Sequence, residues 1–261
     1  MTTWRRYVHH EHVWATVVTF DVRAPQISEP DVREACAAAA RELHRIDEWL
    51  SPFRSDSEVS AIRRGELSAV DVSAPVAEVL AGCATVTTQS GGAFDPWAAP
   101  GGFDPSGYVK GWGADRAAAI LVGHGFANVS VNAAGDVTCR GRSDAEREGW
   151  RIGIADPADP RRILGAVEVV DAHLATSGRY EQGDHIVDPA TGRRAVSVDS
   201  ATVLARDGGE ADAWATALLV RGPAGLPLIT PDSGLSAMVV SSGYAWVQGA
   251  AFARDRLVAA G

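Results

Sequence analysis

Gly91-Gly92-Ala93-Phe94-Asp95-Pro96 opens a run rich in glycine and proline that ends in Phe103-Asp104-Pro105-Ser106-Gly107-Tyr108-Val109-Lys110-Gly111-Trp112-Gly113. The run separates two stretches of mixed secondary-structure pattern. It reads either as a linker between domains or as a loop within one. Long irregular segments inside compact folds are mostly functional. Neither a repeat nor a low-complexity tract interrupts the chain, so the run reads as a site inside a single domain spanning residues 1–261.

The same stretch holds the chain's one lysine, Lys110, among twenty-four basic side chains; all the others are arginine. An ammonium on a flexible stem and a planar guanidinium meet oxyanions differently. A lone lysine in a glycine-rich turn that opens a helix marks a candidate phosphate contact, because glycine admits close backbone approach and a helix start favours anions.

Working outward, residues 12–22 read as a β-branched strand. Ser28-Glu29-Pro30-Asp31 is a helix start, followed by an apolar stripe at Val32, Cys36, Ala39, Leu43, Ile46 and Leu50. Leu50-Ser51-Pro52-Phe53-Arg54-Ser55-Asp56-Ser57-Glu58 is a polar loop that caps a short helix from Ser57. Another helix starts at Ala74-Pro75 and ends at Gly91-Gly92, and residues 115–121 look helical. Residues 128–140 read as a hairpin with Ala134-Gly135-Asp136 near its turn. Strands are predicted over 150–155, 165–170, 173–176 and 200–205, a helix over 210–220, and short strands over 236–240 and 245–247. Helices and strands mix without strict βαβα alternation, which predicts an α+β fold.

Composition narrows the function. A net charge of −9 argues against nucleic acid as a partner, and an acidic protein that handles polyphosphate calls for a cation such as Mg²⁺. Cys36, Cys83 and Cys139 form no CxxC and read as reduced core thiols of a cytoplasmic protein. The first residues lack the apolar region of a secretory signal, and no stretch is long enough for a membrane span. No GxGxxG follows a strand, and GxxxxGK[ST] and GxSxG do not occur.

On the segment Glu210-Ala211-Asp212-Ala213-Trp214-Ala215-Thr216-Ala217, Asp212 and Thr216 stand four apart, on one face of a nearly apolar helix. They read either as half an oxygen shell for Mg²⁺, or as a carboxylate capping the helix and a hydroxyl bonded back into it. His185, in the polar loop His185-Ile186-Val187-Asp188-Pro189-Ala190-Thr191-Gly192, is a candidate general base.

Seven segments in order resemble the ApbE family of FAD:protein FMN transferases. They are Leu50 through Glu58, Gly91 through Pro96, Asp104 through Gly111, Ala134-Gly135-Asp136, Ala175-Thr176-Ser177-Gly178, His185 through Gly192, and Ala211 through Thr216. The resemblance implies two closely packed mixed α/β halves with the active site in the cleft between them. It also implies an Mg²⁺-dependent reaction with FAD as substrate. The products are FMN esterified to a threonine hydroxyl of an acceptor flavoprotein, and AMP. The implied roles are Mg²⁺ on Asp212, Thr216 and the Gly107 carbonyl, FAD against Asp104 and Lys110, and the flavin against Ala93, Phe94, Asp95 and Val187. Lys110 and His185 would be the catalytic pair, with Lys110 neutralising the diphosphate and His185 as base. Trp14-Ala15-Thr16 stands where the family has Met-Gly-Thr, Phe53 where a tyrosine is typical, and Ala134 where a GGD has its first glycine; Trp14 and Phe53 are therefore also expected at the flavin. An FAD pyrophosphatase and an FAD-storage protein are the alternative readings.

Overall fold

The computed structural model describes residues 4–178, 186–195 and 197–252. It opens with two strands, β1 (Arg5–Val13) and β2 (Thr16–Ala24), where the sequence predicts one over 12–22. Trp14 and Ala15 form the reversal, at φ 57° and 55°. A two-residue hairpin with both central residues at positive φ normally takes Asn or Gly, so this turn carries no sequence signal.

Helix α1 (Glu29–Leu50) buries the predicted stripe from Val32 to Leu50, with Ala35 and Ala40 beside it. The short helix α2 (Glu58–Arg63) is capped by Ser57, whose Oγ accepts the Ser60 N–H, and α3 (Ala74–Gln89) follows. Helix α4 (Ser106–Gly123) begins well before the predicted 115, because tertiary packing overrides the poor helix propensity of Gly107, Gly111 and Gly113. Strands β3 (Val129–Ala133) and β4 (Asp136–Arg140) form the expected hairpin about Ala134-Gly135. Next come β5 (Trp150–Asp156), β6 (Asp159–Val169) and β7 (Ala172–Gly178), then the two-residue strands β8 (Val187–Asp188) and β9 (Arg193–Arg194). Strand β10 (Ser200–Ala205), helix α5 (Gly208–Arg221), β11 (Ser236–Ser241) and β12 (Tyr244–Gln248) complete the regular elements.

Eight strands form one antiparallel sheet in the order β1-β2-β3-β4-β7-β10-β11-β12; β5 and β6 pair with each other. Alternation along the strands divides two cores. Val18, Phe20, Val131, Ala175, Val203 and Val239 point to the helical layer, where Leu43, Ile46, Ala117, Trp214 and Leu218 meet them. Val137, Cys139, Leu174, Met238 and Val240 point the other way, against Trp150, Ile154 and Val167 of the β5–β6 hairpin and Phe252. Helices and strands are mixed in the α+β manner the sequence predicts. Among the described residues, no helix is long and apolar enough to cross a membrane.

Candidate active site

Helices α4 and α5 cross with almost nothing between them. A Cβ added at Gly111 would run into the Gly208 carbonyl, and one at Gly208 would run into the Gly111 carbonyl. Only glycine at both positions permits that approach. One turn before the crossing, α4 kinks at Gly107 (φ −79°, ψ 15°). A Cβ there would lie 3.1 Å from Thr216 Oγ1 and 3.3 Å from the Phe94 ring. The Gly107 backbone therefore sits directly against two other residues that the sequence placed in the site.

At the crossing, three charges converge. Lys110 Nζ lies 2.9 Å from Asp136 Oδ2, and 3.1 and 3.2 Å from the two Asp212 carboxylate oxygens. Both carboxylates are 3 % exposed and the lysine side chain 32 %. The Gly111 N–H donates to Asp212 Oδ2 at 3.3 Å, and the Thr176 N–H donates to Asp136 Oδ1 at 3.1 Å. Burial pushes the Asp212 carboxyl up to about 6; the Lys110 ammonium opposes this and the neighbouring Asp136 adds to it. For Lys110, burial works against the charged form, yet Asp136 and Asp212 outweigh it and hold the ammonium above the usual lysine value. Lys110 is thus a fixed positive charge at neutral pH and not a base.

The two readings of Asp212 and Thr216 are now separable. The cap of α5 is Asp207, whose Oδ1 accepts the Glu210 N–H at 2.8 Å. Asp212 lies a turn further in and faces Lys110, while Thr216 Oγ1 meets Ser177 Oγ at 3.3 Å. Among the described residues, no three His, Cys, Asp or Glu side chains are grouped to hold a metal ion. A cation here would draw on mixed oxygen donors: the Asp212 carboxylate, the Thr216 hydroxyl and the Gly107 carbonyl. All three are hard oxygen ligands of the type Mg²⁺ takes. Two buried carboxylates against one ammonium leave a negative excess that a cation would offset, so the residues fit that ion.

The other expected residues are distributed around this junction. Ala93 and Phe94 are buried, and Ser90 Oγ accepts the Phe94 N–H at 3.2 Å. Asp95 turns back to accept the Trp97 N–H at 2.9 Å. Asp104 Oδ1 accepts from the Ser106 N–H and hydroxyl at 3.0 and 2.6 Å, and its Oδ2 faces Arg63 Nη2 at 3.1 Å. Arg63 also donates to the Phe103 carbonyl at 2.7 Å and so ties α2 to the start of α4. Trp14 lies against Gly113 of α4, at a point where Ile46 of α1 also approaches; a cavity of about 520 Å³ opens beside it, lined also by His12, Thr16, His44 and Asp47. Phe53 stands 92 % exposed in the loop after α1. Val187 lies on β8, half-buried. His185 lies outside the described residues.

Asp136 was not singled out in the sequence, because Ala134-Gly135-Asp136 reads as a turn. The usable signal was strand alternation: Asp136 shares the helix-facing side of β4 with Thr138.

The ApbE family profile matches residues 14–102 and 98–239. The chain belongs to the ApbE family. Curated relatives include the FAD:protein FMN transferase of Klebsiella pneumoniae (strain 342), 31 % identical over 170 residues, which are 60 % of this chain and 48 % of the relative. The FAD:protein FMN transferase of Rhodobacter capsulatus is 33 % identical over 205 residues, 74 % of this chain and 37 % of its own. The matches thus span about half or less of these relatives' length. Among solved structures, the flavin transferase ApbE from Vibrio cholerae superposes with a TM-score of 0.84 at 22 % identity, covering 98 % of this chain and all of that one. The ApbE protein of Thermotoga maritima gives 0.78 at 24 % identity, covering 94 % and 96 %. These likenesses establish a shared ApbE fold.

Proposed function

We propose that this chain is a transferase unit spanning residues 1–261. In this reading it moves FMN from FAD to a threonine hydroxyl of an acceptor flavoprotein and releases AMP. The observation that carries the reading is the convergence of Lys110, Asp136, Asp212, Thr216 and the Gly107 backbone at the α4–α5 crossing. The names of the curated relatives support the substrate and the reaction.

In this account Asp212, Thr216 and the Gly107 carbonyl would hold Mg²⁺, which when bound would supply positive charge to the diphosphate. Lys110 presents its ammonium to the same oxygens and neutralises the charge that develops as the anhydride bond breaks. Asp136 and Asp212 keep that ammonium protonated and oriented. Asp104, fixed by Arg63 and Ser106, and the buried pair Ala93 and Phe94 position the FAD, with Asp95, Val187, Trp14 and Phe53 toward the flavin. The threonine oxygen forms a bond to the FMN phosphorus. The bond from that phosphorus to the bridging oxygen breaks, AMP leaves with the oxygen, and the threonine proton passes to His185. Catalysis of this kind is mainly positioning and charge stabilisation.

Three free, buried cysteines suit a reducing compartment and support a cytoplasmic location. The net charge of −9 supports a partner other than nucleic acid. The test is incubation with FAD, Mg²⁺ and an acceptor bearing an exposed threonine. The expected result is a gain in acceptor mass equal to FMN less one water, with AMP released. Free FMN and AMP without an adduct would replace this reading with FAD hydrolysis.

A further inference from the structure

The mechanism leaves one half-buried carboxylate, that of Asp115, unused. Asp115 lies on α4, beyond Lys110. Its Oδ2 accepts the N–H of Gly208, the first residue of α5, at 2.7 Å. Its Oδ1 accepts the Thr138 hydroxyl at 2.7 Å and an Arg140 N–H at 3.1 Å. The same oxygen is 3.7 Å from Nδ1 of His173, which is fully buried on β7 and stands 2.6 Å from Thr138 Oγ1. Burial works to raise the Asp115 carboxyl, but His173, Arg140 and Thr138 outweigh it and hold it below the usual carboxylate range.

One side chain therefore joins four elements, and three of them carry the charged groups of the site. Helix α4 carries Lys110, α5 carries Asp212 four residues after Gly208, and β4 carries Asp136 two residues before Thr138 on the same face. The Lys110 distances to Asp136 and Asp212 depend on how these elements sit against one another. At the Gly111–Gly208 crossing backbone meets backbone, and the hydrogen bond beside it, from the Gly111 N–H to Asp212 Oδ2, is 3.3 Å long. Hydrogen bonds to an ionised acceptor are the strong kind, and Asp115 makes them to both of the other elements.

We propose that Asp115, with Thr138 and His173, is a positioning residue that fixes α4, α5 and β4 in the register bringing Lys110 against Asp136 and Asp212. Its consequence for turnover rests on the transferase reading above; its geometric content does not.

The single lysine makes this measurable without turnover. Acylation of lysine side chains in the native protein, read by peptide mass spectrometry, reports Lys110 alone. An ammonium held between two carboxylates reacts slowly. Asp115→Asn is expected to accelerate labelling at least ~10-fold, and Thr138→Val by about threefold, as charge-assisted and neutral hydrogen bonds are lost respectively. Thr138→Ser, which keeps the hydroxyl, is expected to label at the wild-type rate. Val169→Ala, a cavity in the opposite core, should lower stability without changing the labelling. In the FMN-transfer assay, Asp115→Asn should lower kcat at least ~10-fold with KM for FAD within about twofold, the split expected of misplaced catalytic groups.

Wild-type labelling of Lys110 in folded Asp115→Asn overturns the proposal. If that variant does not fold, wild-type labelling in Thr138→Val overturns it instead. Equal acceleration in Val169→Ala also overturns it, because general loosening would then account for the exposure. Absence of FMN transfer by the wild-type protein counts against the transferase reading alone and leaves the labelling result to decide this one.

Discussion

Replacing Gly111 by alanine tests the site's architecture through a single methyl group. An alanine Cβ would collide with the backbone carbonyl of Gly208 and stand 3.2 Å from Asp212 Cβ. A backbone obstacle cannot rotate away, so the helices must part. The Gly111 N–H bond to Asp212, already 3.3 Å, is then lost. Alanine gains about 0.8–1.0 kcal/mol of helix propensity over glycine, and overpacking of this kind costs about 1–3 kcal/mol, more against a rigid neighbour. The lost buried hydrogen bond to a carboxylate adds ~1.5 kcal/mol. The net is a destabilisation of roughly 2–3 kcal/mol, a fall in Tm of about 4–12 °C for a chain of this size. Gly123 is the internal control. It ends the same helix, and a Cβ there meets nothing within 4 Å. Gly123→Ala should therefore raise Tm by about 1–4 °C. Differential scanning calorimetry of the two variants decides the matter. A Gly111→Ala protein that melts at or above wild type, with the same FAD affinity, would refute the crossing as described.

Three further outcomes are expected. Lys110→Met should reduce FMN transfer by about 10²–10³-fold while FAD still binds, measured by single-turnover kinetics, because it removes a preorganised charge from the diphosphate. Ala134→Gly should stabilise the protein by about 0.5–1 kcal/mol in urea unfolding, since Ala134 is held at φ 55° in the β3–β4 turn. Against burial, His173, Arg140 and Thr138 hold the folded pKa of Asp115 below the ordinary carboxylate value, so its contribution is present above the ordinary value and is lost as pH falls through the folded one; the stability gap between wild type and Asp115→Asn should be full at pH 7 and close progressively below pH ~4 in chemical unfolding curves.

The elements most legible in the sequence were those whose signal is local. The stripe from Val32 to Leu50 needed only helical periodicity, and Ser57 capped a helix as its residue type and neighbours indicated. The start of α4 was not legible, because Gly107, Gly111 and Gly113 are poor helix formers, the first two held in place by α5 and the third by Trp14 and α1. The Trp14-Ala15 reversal was hidden for the opposite reason: neither residue signals positive φ. Lys110, Asp212 and Thr216 stand out through composition and i,i+4 spacing; in the fold Lys110 meets Asp212, and Thr216 lies one turn on, against Gly107 and Ser177. Asp136 was missed because its partner lies on another element. The hub around Asp115 was missed for the same reason, since Thr138, His173 and Gly208 approach it only once sheet and helices have packed.

The central claim is that the α4–α5 crossing grips a flavin diphosphate through one cation and one ammonium. Diffraction from crystals grown with FAD and Mn²⁺ in place of Mg²⁺ tests it most directly. The account predicts an anomalous peak bonded to Asp212, Thr216 and the Gly107 carbonyl, with Lys110 on a phosphate oxygen. FAD bound with its diphosphate elsewhere, and no anomalous peak at these three ligands, would contradict it.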